Sequence, residues 1–105
     1  MSKRKSAAEA NLEARAQLFK ALGHPMRLLM LNLVKRKPRH GEELAAILQL
    51  NPATVSHHLS KLAEAGLLHV QKEQYYQIYS LNDLMLPKSL EVLIQLPQPE
   101  LANTV

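Results

Sequence analysis

The sequence predicts a mostly α-helical domain with one small β-hairpin near its carboxyl end. Apolar residues recur at helical spacing over most of residues 8–65, whereas residues 67–80 are rich in β-forming residues and alternate roughly between apolar and polar. A length of 105 residues suits a single small domain. Because a core of this size is marginal for a lone subunit, we expect a dimer to bury additional apolar surface.

Four helices are predicted before the hairpin, each with its own boundary signals. Gly23 is placed to end the first helix, and Pro25 to begin the second. Asn51 is a good N-cap for the fourth helix, and Gly66 closes it. The first helix is predicted over residues 8–22, and the second begins at Pro25 and stops at the basic segment Lys35–Arg39. The third is predicted over 42–48 and the fourth over 52–65.

The hairpin and a fifth helix complete the predicted domain. We expect strands over Leu67–Lys72 and Tyr75–Ser80, a turn at Glu73-Gln74, and apolar positions at Leu68, Val70, Tyr76 and Ile78. Asn82 can cap a last helix that Pro97 and Pro99 stop. The expected organisation is a flexible basic arm over 1–7, the domain over 8–96 and a tail over 97–105.

The positive charge is concentrated in the first part of the chain. The net charge is +4. Residues 1–39 hold ten Lys or Arg and two Glu, whereas residues 40–105 hold three Lys or Arg and seven acidic residues. The two basic clusters are Lys3-Arg4-Lys5 and Lys35–Arg39. Such clusters suit a polyanion such as nucleic acid, although the alternative that they only keep the protein soluble stays open.

Several classes of function are disfavoured. The chain has no cysteine, which removes disulfides, thiolate metal sites and thiol redox sensing and is typical of an intracellular, cytoplasmic protein. No apolar run is long enough to span a membrane, and no apolar signal core follows the basic start. Nucleophile–base pairs, phosphate-binding glycine loops and paired carboxylates are all missing, so we do not expect an enzyme.

The predicted helix over 52–65 has two chemically different faces. At about 100° per residue, Val55, Leu59 and Leu62 turn inward. Small and hydrogen-bonding side chains near a helix N-terminus suit base edges in the major groove, although a plain solvated face would have the same composition. Ser56 lies at the flank, where its hydroxyl can reach phosphate. The opposite face carries Ala53, Thr54, His57, Ser60, Lys61 and Glu64.

Four short motifs within a span of roughly residues 17–82 stand out: 18–27 (LFKALGHPMR), 43–45 (ELA), 54–68 (TVSHHLSKLAEAGLL) and 79–81 (YSL). Together they resemble the ArsR/SmtB family of bacterial and archaeal repressors. The resemblance implies a winged helix-turn-helix homodimer with its interface on the first and last helices. That interface matches the apolar positions Leu12, Leu18, Phe19, Leu90, Leu93 and Ile94.

The resemblance also implies which residues contact DNA. The helix from Pro52 would be the recognition helix. His58 lies nearer the buried face of this helix and would have a packing or orienting role. Many relatives carry Gly-Arg at the wing tip, where this chain has Gln74-Tyr75. The implied DNA-facing residues are Thr54, Ser56, His57 and Lys61, with Ala53 and Ser60 beside them, Lys37 and Arg39 in the basic segment, and Lys72, Gln74 and Tyr75 at the wing.

The family's metal sites are not expected in this chain. The thiolate site needs cysteines, and Ala45 and Ala46 stand in that region. The last-helix site needs Asp-x-His, ten further residues, and His-x-x-Glu. Counted from Asp83, Met85, Leu96 and Pro99 take the other three positions, so no ordinary zinc site can form. His57 and His58 point about 100° apart, and His24, His40 and His69 are scattered. We therefore expect no metal and no cofactor.

The leading hypothesis is a homodimeric repressor that binds an imperfect palindrome in double-stranded DNA. The alternative is a winged helix that binds proteins without reading DNA sequence. The effector stays open: a small molecule, proton titration of a histidine, a partner protein, or none.

Overall fold

The computed structural model describes residues 6–85 and 94–95. Within these ranges, four helices surround one core and a three-stranded antiparallel sheet lies beside them in the order β1-β3-β2. The predicted class, mostly α-helical with a winged helix-turn-helix arrangement, is confirmed. The elements are α1 (Ala7–Leu22), α2 (Pro25–Arg36), β1 (Arg39–His40), α3 (Gly41–Leu48), α4 (Pro52–Glu64), β2 (Leu68–Lys72) and β3 (Gln77–Leu81).

Side chains cap the first turns of α1, α2 and α4. Each accepts a hydrogen bond from a backbone N–H that the helix itself leaves unpaired. Pro25 and Pro52 stand at the first helical positions, as the sequence predicts. The bonds run from Glu9 N to Ser6 Oγ at 3.1 Å, from Met26 N to His24 Nδ1 at 3.1 Å, and from Ala53 N to Asn51 Oδ1 at 2.8 Å.

The turn between α3 and α4 is tight and contains a left-handed residue. Gln49 has φ 54° and ψ 46°, and its backbone N–H donates hydrogen bonds to the carbonyls of Ala45 and Ala46 in the last turn of α3. Leu50 N donates to Ala45 O at 3.1 Å, which closes the helix end. A non-glycine residue in this conformation is strained, because its Cβ crowds the backbone.

The core is built from inward-facing residues of all four helices and the base of the hairpin. Met30, Leu31 and Leu62 are completely buried. Ile94, which we expected at a dimer interface, is only 1% exposed within this subunit's own core, and Asn32 Nδ2 donates to its carbonyl at 3.1 Å. Ile94 therefore has little surface left to offer a partner.

Strand β1 is absent from the sequence prediction. It pairs antiparallel with β3, with Arg39 opposite Tyr79 and His40 opposite Ile78. A two-residue strand is too short to show the alternation that identifies strands in a sequence. The basic segment predicted as a loop therefore ends in a strand that ties α2 and α3 to the hairpin.

The hairpin differs from its prediction at the turn. Lys72 pairs with Gln77, and Glu73 N donates to Tyr76 O at 2.8 Å, so the turn spans four residues instead of two or three. Tyr75 and Tyr76 therefore leave the strand to which the alternation assigned them. Val70 and Tyr76, predicted on an apolar face, are 43% and 48% exposed, because the hairpin projects beyond the helices that cover its base.

The chain ends agree only in part with the predicted organisation. Ser6 caps α1 and Ala7 is its first helical residue, so the last two residues of the arm predicted over 1–7 belong to the start of this helix. Asn82 Oδ1 accepts from Leu84 N at 3.1 Å, residues 83–85 form a turn, and most of the last helix that the sequence predicts after Asn82 lies outside the described residues. The arm over 1–5, the helix positions Leu90 and Leu93, and the tail over 97–105 lie outside the described residues.

We expect Gln49→Gly to raise the free energy of unfolding by about 0.5–1 kcal/mol, because glycine adopts the left-handed region without a Cβ clash. Urea unfolding followed by circular dichroism would measure the change. The control is Ala46→Gly, three residues earlier on the exposed side of α3, which should instead lower the free energy of unfolding by about 1 kcal/mol. Destabilisation by both substitutions would contradict the strain at Gln49.

Candidate DNA-binding surface

Helix α4 has one buried face and one exposed face, as the sequence predicts. Val55, Leu59 and Leu62 are at most 1% exposed and pack into the core against α2 and α3. Filling the core with these side chains fixes the rotation of the helix about its axis. All of the outward positions predicted from the sequence are exposed: Ala53, Thr54, Ser56, His57, Ser60, Lys61 and Glu64.

A capping box positions α3 behind α4. His40 N donates to Glu43 Oε1 at 3.1 Å, and Glu43 N donates to His40 Nδ1 at 3.4 Å. The hydrogen bond from the His40 backbone holds the pKa of the Glu43 carboxyl below its ordinary value. Sequence reasoning missed this role of His40, although the spacing His-x-x-Glu before an apolar run is a form of the capping-box signal.

His58 connects the inner side of α4 to the first turn of α2. It is 7% exposed, and Arg27 Nε donates to its Nδ1 at 3.2 Å. Burial lowers the pKa of the imidazole, and the neighbouring His24, Arg27 and His57 lower it further. His58 therefore acts as a neutral acceptor inside the fold, in agreement with the packing or orienting role expected of it.

The histidines are less scattered than the sequence suggests. The rings of His24 and His58 lie 4.5 Å apart between centroids, although 34 positions separate them in the chain. His24 uses Nδ1 to cap α2 and packs its ring against His58. Residues 6–85 and 94–95 contain no group of three or more His, Cys, Asp or Glu side chains arranged to hold a metal ion.

The wing tip is exposed, and its one lysine and one glutamate leave it without net charge. Lys72 and Gln74 are exposed, and Tyr75 is 85% exposed. Gln74 Nε2 donates to Tyr75 Oη at 3.1 Å, so these two predicted contact residues lie side by side. Gln71 Nε2 donates to Glu73 Oε1 at 3.4 Å. The tip offers hydroxyl and amide groups to a ligand more than cations.

The two predicted contacts of the basic segment have different surroundings. Lys37 is exposed at the end of α2. Arg39 is half-buried, and its Nε donates to Leu33 O at 3.0 Å, which satisfies a carbonyl in the last turn of α2. Lys37 is thus available to an anion, whereas Arg39 already has a structural role and offers only its remaining N–H groups.

A groove of about 220 Å³ joins the start of α4 to the wing. Ser56 lines it from α4, and Tyr75 and Tyr76 line it from the hairpin. His40 packs its ring on Tyr76 at 5.1 Å between centroids. The groove therefore brings two of the predicted contacts, Ser56 of α4 and Tyr75 of the wing, to the same cavity. Sequence reasoning missed Tyr76, because it assigned that residue to the inner face of a strand.

One side of α1 exposes apolar residues. Leu12 is 60% exposed and Phe19 is 66% exposed, whereas Leu18 is half-buried against the core. Exposed side chains of this size on one helix are typical of an interaction surface. No helix among the described residues is long and apolar enough to cross a membrane.

A short helix, a tight turn and a second helix with a polar outer face, followed directly by a hairpin, define the winged helix-turn-helix class. Comparison with known proteins agrees. A family model described as "Bacterial regulatory protein, arsR family" matches residues 24–70. The transcriptional repressor PagR of Bacillus anthracis is 38% identical over 91 residues, which cover 85% of this chain and 86% of PagR. The chain belongs to the ArsR family of bacterial regulatory proteins.

Two further similarities support this assignment. The HTH-type transcriptional regulator YgaV of Escherichia coli K12 is 33% identical over 76 residues, covering 71% of this chain and 77% of YgaV. Among solved structures, the homodimeric winged helix-turn-helix DNA-binding domain Mb0332 of Mycobacterium bovis superimposes with a TM-score of 0.75 at 26% identity. That superposition covers 100% of this chain and 96% of Mb0332.

The lowered pKa of His58 makes stability depend on pH. Because the ordinary pKa of histidine is 6.5 and folding lowers it at His58, the unfolded chain binds the proton first as the pH falls. The contribution of neutral His58 to the free energy of unfolding is fully present above pH 6.5. It is lost as the pH falls from 6.5 through the lowered pKa of His58. We expect His58→Asn, whose amide oxygen can replace Nδ1 as acceptor for Arg27, to flatten this dependence.

Urea unfolding at about pH 7.5 and pH 5.5, at one fixed protein concentration, would measure the effect. His69→Asn is the control, because His69 is exposed on β2 and should leave the pH dependence as in the wild type. An equal loss of stability at low pH in wild type and His58→Asn would show that another group is responsible.

Proposed function

We propose that this protein is a sequence-specific transcriptional repressor that binds an imperfect palindromic operator as a homodimer. Helix α4 enters the major groove of each half-site. The observation that carries the proposal is the exposed row of small and hydrogen-bonding side chains on a helix whose opposite face is locked into the core. The similarity to PagR, which is named a transcriptional repressor, supports repression over activation.

Side chains on the first turns of α4 contact the base edges. Thr54 and His57 lie on the outer face of these turns, where a recognition helix approaches base edges. Ala53 offers a methyl group for apolar contact with thymine, whereas Ser56, Ser60 and Lys61 are placed for backbone contacts. The wing, with Lys72, Gln74 and Tyr75, adds hydrogen bonds to phosphate.

Affinity comes from the basic segment and from dimerisation. Lys37 is exposed, so it can neutralise a phosphate and release counterions. The homodimeric state of Mb0332 supports a dimer, and the exposed apolar side chains Leu12 and Phe19 make one side of α1 the proposed subunit interface. Twofold symmetry then requires half-sites about one helical turn apart. We further propose that this repressor has no conventional metal or thiol sensing site.

Selection of bound sequences from random double-stranded DNA would test the proposal directly. We expect the full chain to enrich an inverted repeat. Recovery of unrelated sequences without symmetry would contradict sequence reading and would favour a winged helix that binds proteins.

His57→Ala should weaken binding to the selected operator by at least about thirtyfold, because a side chain that reads a base edge contributes about 1–3 kcal/mol of discrimination and the dimer loses this contact in both half-sites. Binding to random DNA of the same length should change by less than about twofold. Fluorescence anisotropy titrations on both DNAs would measure the two affinities. Equal losses on both would exclude His57 from base reading.

Lys37→Ala is the matched comparison for that experiment. The loss of one phosphate contact per subunit, two in the dimer, should weaken binding to operator and random DNA alike. It should also make the slope of log affinity against log salt shallower by about two. A slope identical to the wild type would show that Lys37 contacts no phosphate.

Phe19→Glu should convert the dimer into a monomer, because it places a charge on the apolar side of α1. Light scattering coupled to size exclusion would show the halved mass, and operator affinity should fall by at least a hundredfold. Ile47→Glu is the control, since Ile47 on α3 is also exposed, at 48%, but lies on another helix. A Phe19→Glu protein that remains dimeric would move the interface elsewhere.

A further inference from the structure

A cleft of about 400 Å³ lies where α1, α2 and α4 meet. Lys20 lines it from α1, Arg27 from α2, and Lys61 and Glu64 from α4, with Ala21 and Ala65 as apolar walls. We call it the three-helix cleft. It is separate from the groove between α4 and the wing, since the two share no lining residue.

Among the residues that the structure describes, positive charge in the three-helix cleft exceeds negative charge. The described part of the lining holds three cationic side chains and one carboxylate. Glu64 compensates little, because its Oε1 is 3.9 Å from Lys61 Nζ and both side chains are exposed. Three cations from three separate helices therefore converge on one cleft, and Glu64 is the one carboxylate in the described part of its lining.

Arg27 is the most constrained of these cations. Its guanidinium is half-buried and donates to two neutral acceptors, His58 Nδ1 at 3.2 Å and Ala21 O at 3.5 Å. No carboxylate among the described residues lies within salt-bridge distance of it. A guanidinium held by neutral groups at the side of a cleft keeps N–H donors for a bound carboxylate or phosphate.

We propose that the three-helix cleft binds a small organic anion carrying a carboxylate or phosphate group, and that the bound anion weakens operator binding. The coupling to DNA rests on the function proposed above, whereas the anion site itself does not. The volume is in the range of small-molecule sites, and the alanine walls can contact the apolar part of such a ligand.

Coupling follows from the position of Lys61. This residue lines the three-helix cleft and is exposed on the outer side of α4, where it is placed for a phosphate of DNA. A bound anion attracts its ammonium group into the cleft and removes it from the DNA surface. Because linkage is reciprocal, the anion lowers the affinity for DNA by the same factor by which DNA lowers the affinity for the anion.

The site can be tested without DNA. The ¹⁵N-labelled full-length protein is titrated with sodium citrate and with sodium pyrophosphate, at constant ionic strength maintained with sodium chloride. We expect saturable shifts of the amides around Ala21, Arg27 and Ala65 for at least one of the two anions.

Three variants separate the cleft from general attraction to a basic protein. Lys20→Gln removes a cation that lines the cleft and belongs to no proposed DNA contact, so it should weaken anion binding about tenfold. Lys20→Arg should retain it. Arg15→Gln removes one charge from the exposed surface of the same helix, outside the cleft lining, and should leave anion binding unchanged.

Failure of the site has a distinct signature. Shifts that do not saturate, that spread over the basic surface, or that are as strong in Lys20→Gln as in the wild type would overturn it. The absence of shifts with both anions would overturn it as well.

The effect on DNA is tested next with the selected operator. At constant ionic strength, the effective anion should reduce operator affinity at least fivefold in the wild type and less than twofold in Lys20→Gln. Equal reduction in both proteins would place the competing anion on the DNA-binding surface and overturn the coupling. If the protein bound no DNA at all, the proposed function would fail, while the amide shifts would still decide the anion site.

Discussion

The DNA-binding surface depends on how completely the inner face of α4 is buried. Val55, Leu59 and Leu62 leave almost no accessible surface, so any rotation of the helix about its axis would expose apolar area and open voids in the core. This constraint determines which side chains face outward. The sequence of the outer face is then free of packing requirements and can be selected for recognition alone.

Much of this arrangement can be predicted from the sequence because it rests on local signals. Helical periodicity, Asn51-Pro52 and Gly66 identified α4 and its two faces, and the winged class followed from the order of elements. Strand β1 was not predictable because it forms only by pairing with β3. The exposure of Tyr76 was not predictable either, because the pairing of β2 with β3 ends at Lys72 and Gln77 and leaves Tyr76 in the turn. The contact between His24 and His58 was equally inaccessible, because only the fold brings them together.

Arg27 belongs both to a contact within the fold and to the proposed anion site. Its bond to His58 joins the first turn of α2 to α4, and the same guanidinium borders the three-helix cleft. A ligand that changed the orientation of this side chain would alter a contact on the inner side of the recognition helix. Stability and response to a ligand would then share one group, which limits how freely either can change by mutation.

Strand β1 makes the helix-turn-helix and the wing mechanically continuous. It follows α2, immediately precedes α3 and pairs with β3, so the hairpin cannot swing away from α4 without breaking backbone hydrogen bonds. Each subunit would therefore present its DNA-binding surface as one rigid body. In the proposed homodimer, any tolerance to variation in the distance between operator half-sites must then come from adjustment between the two subunits.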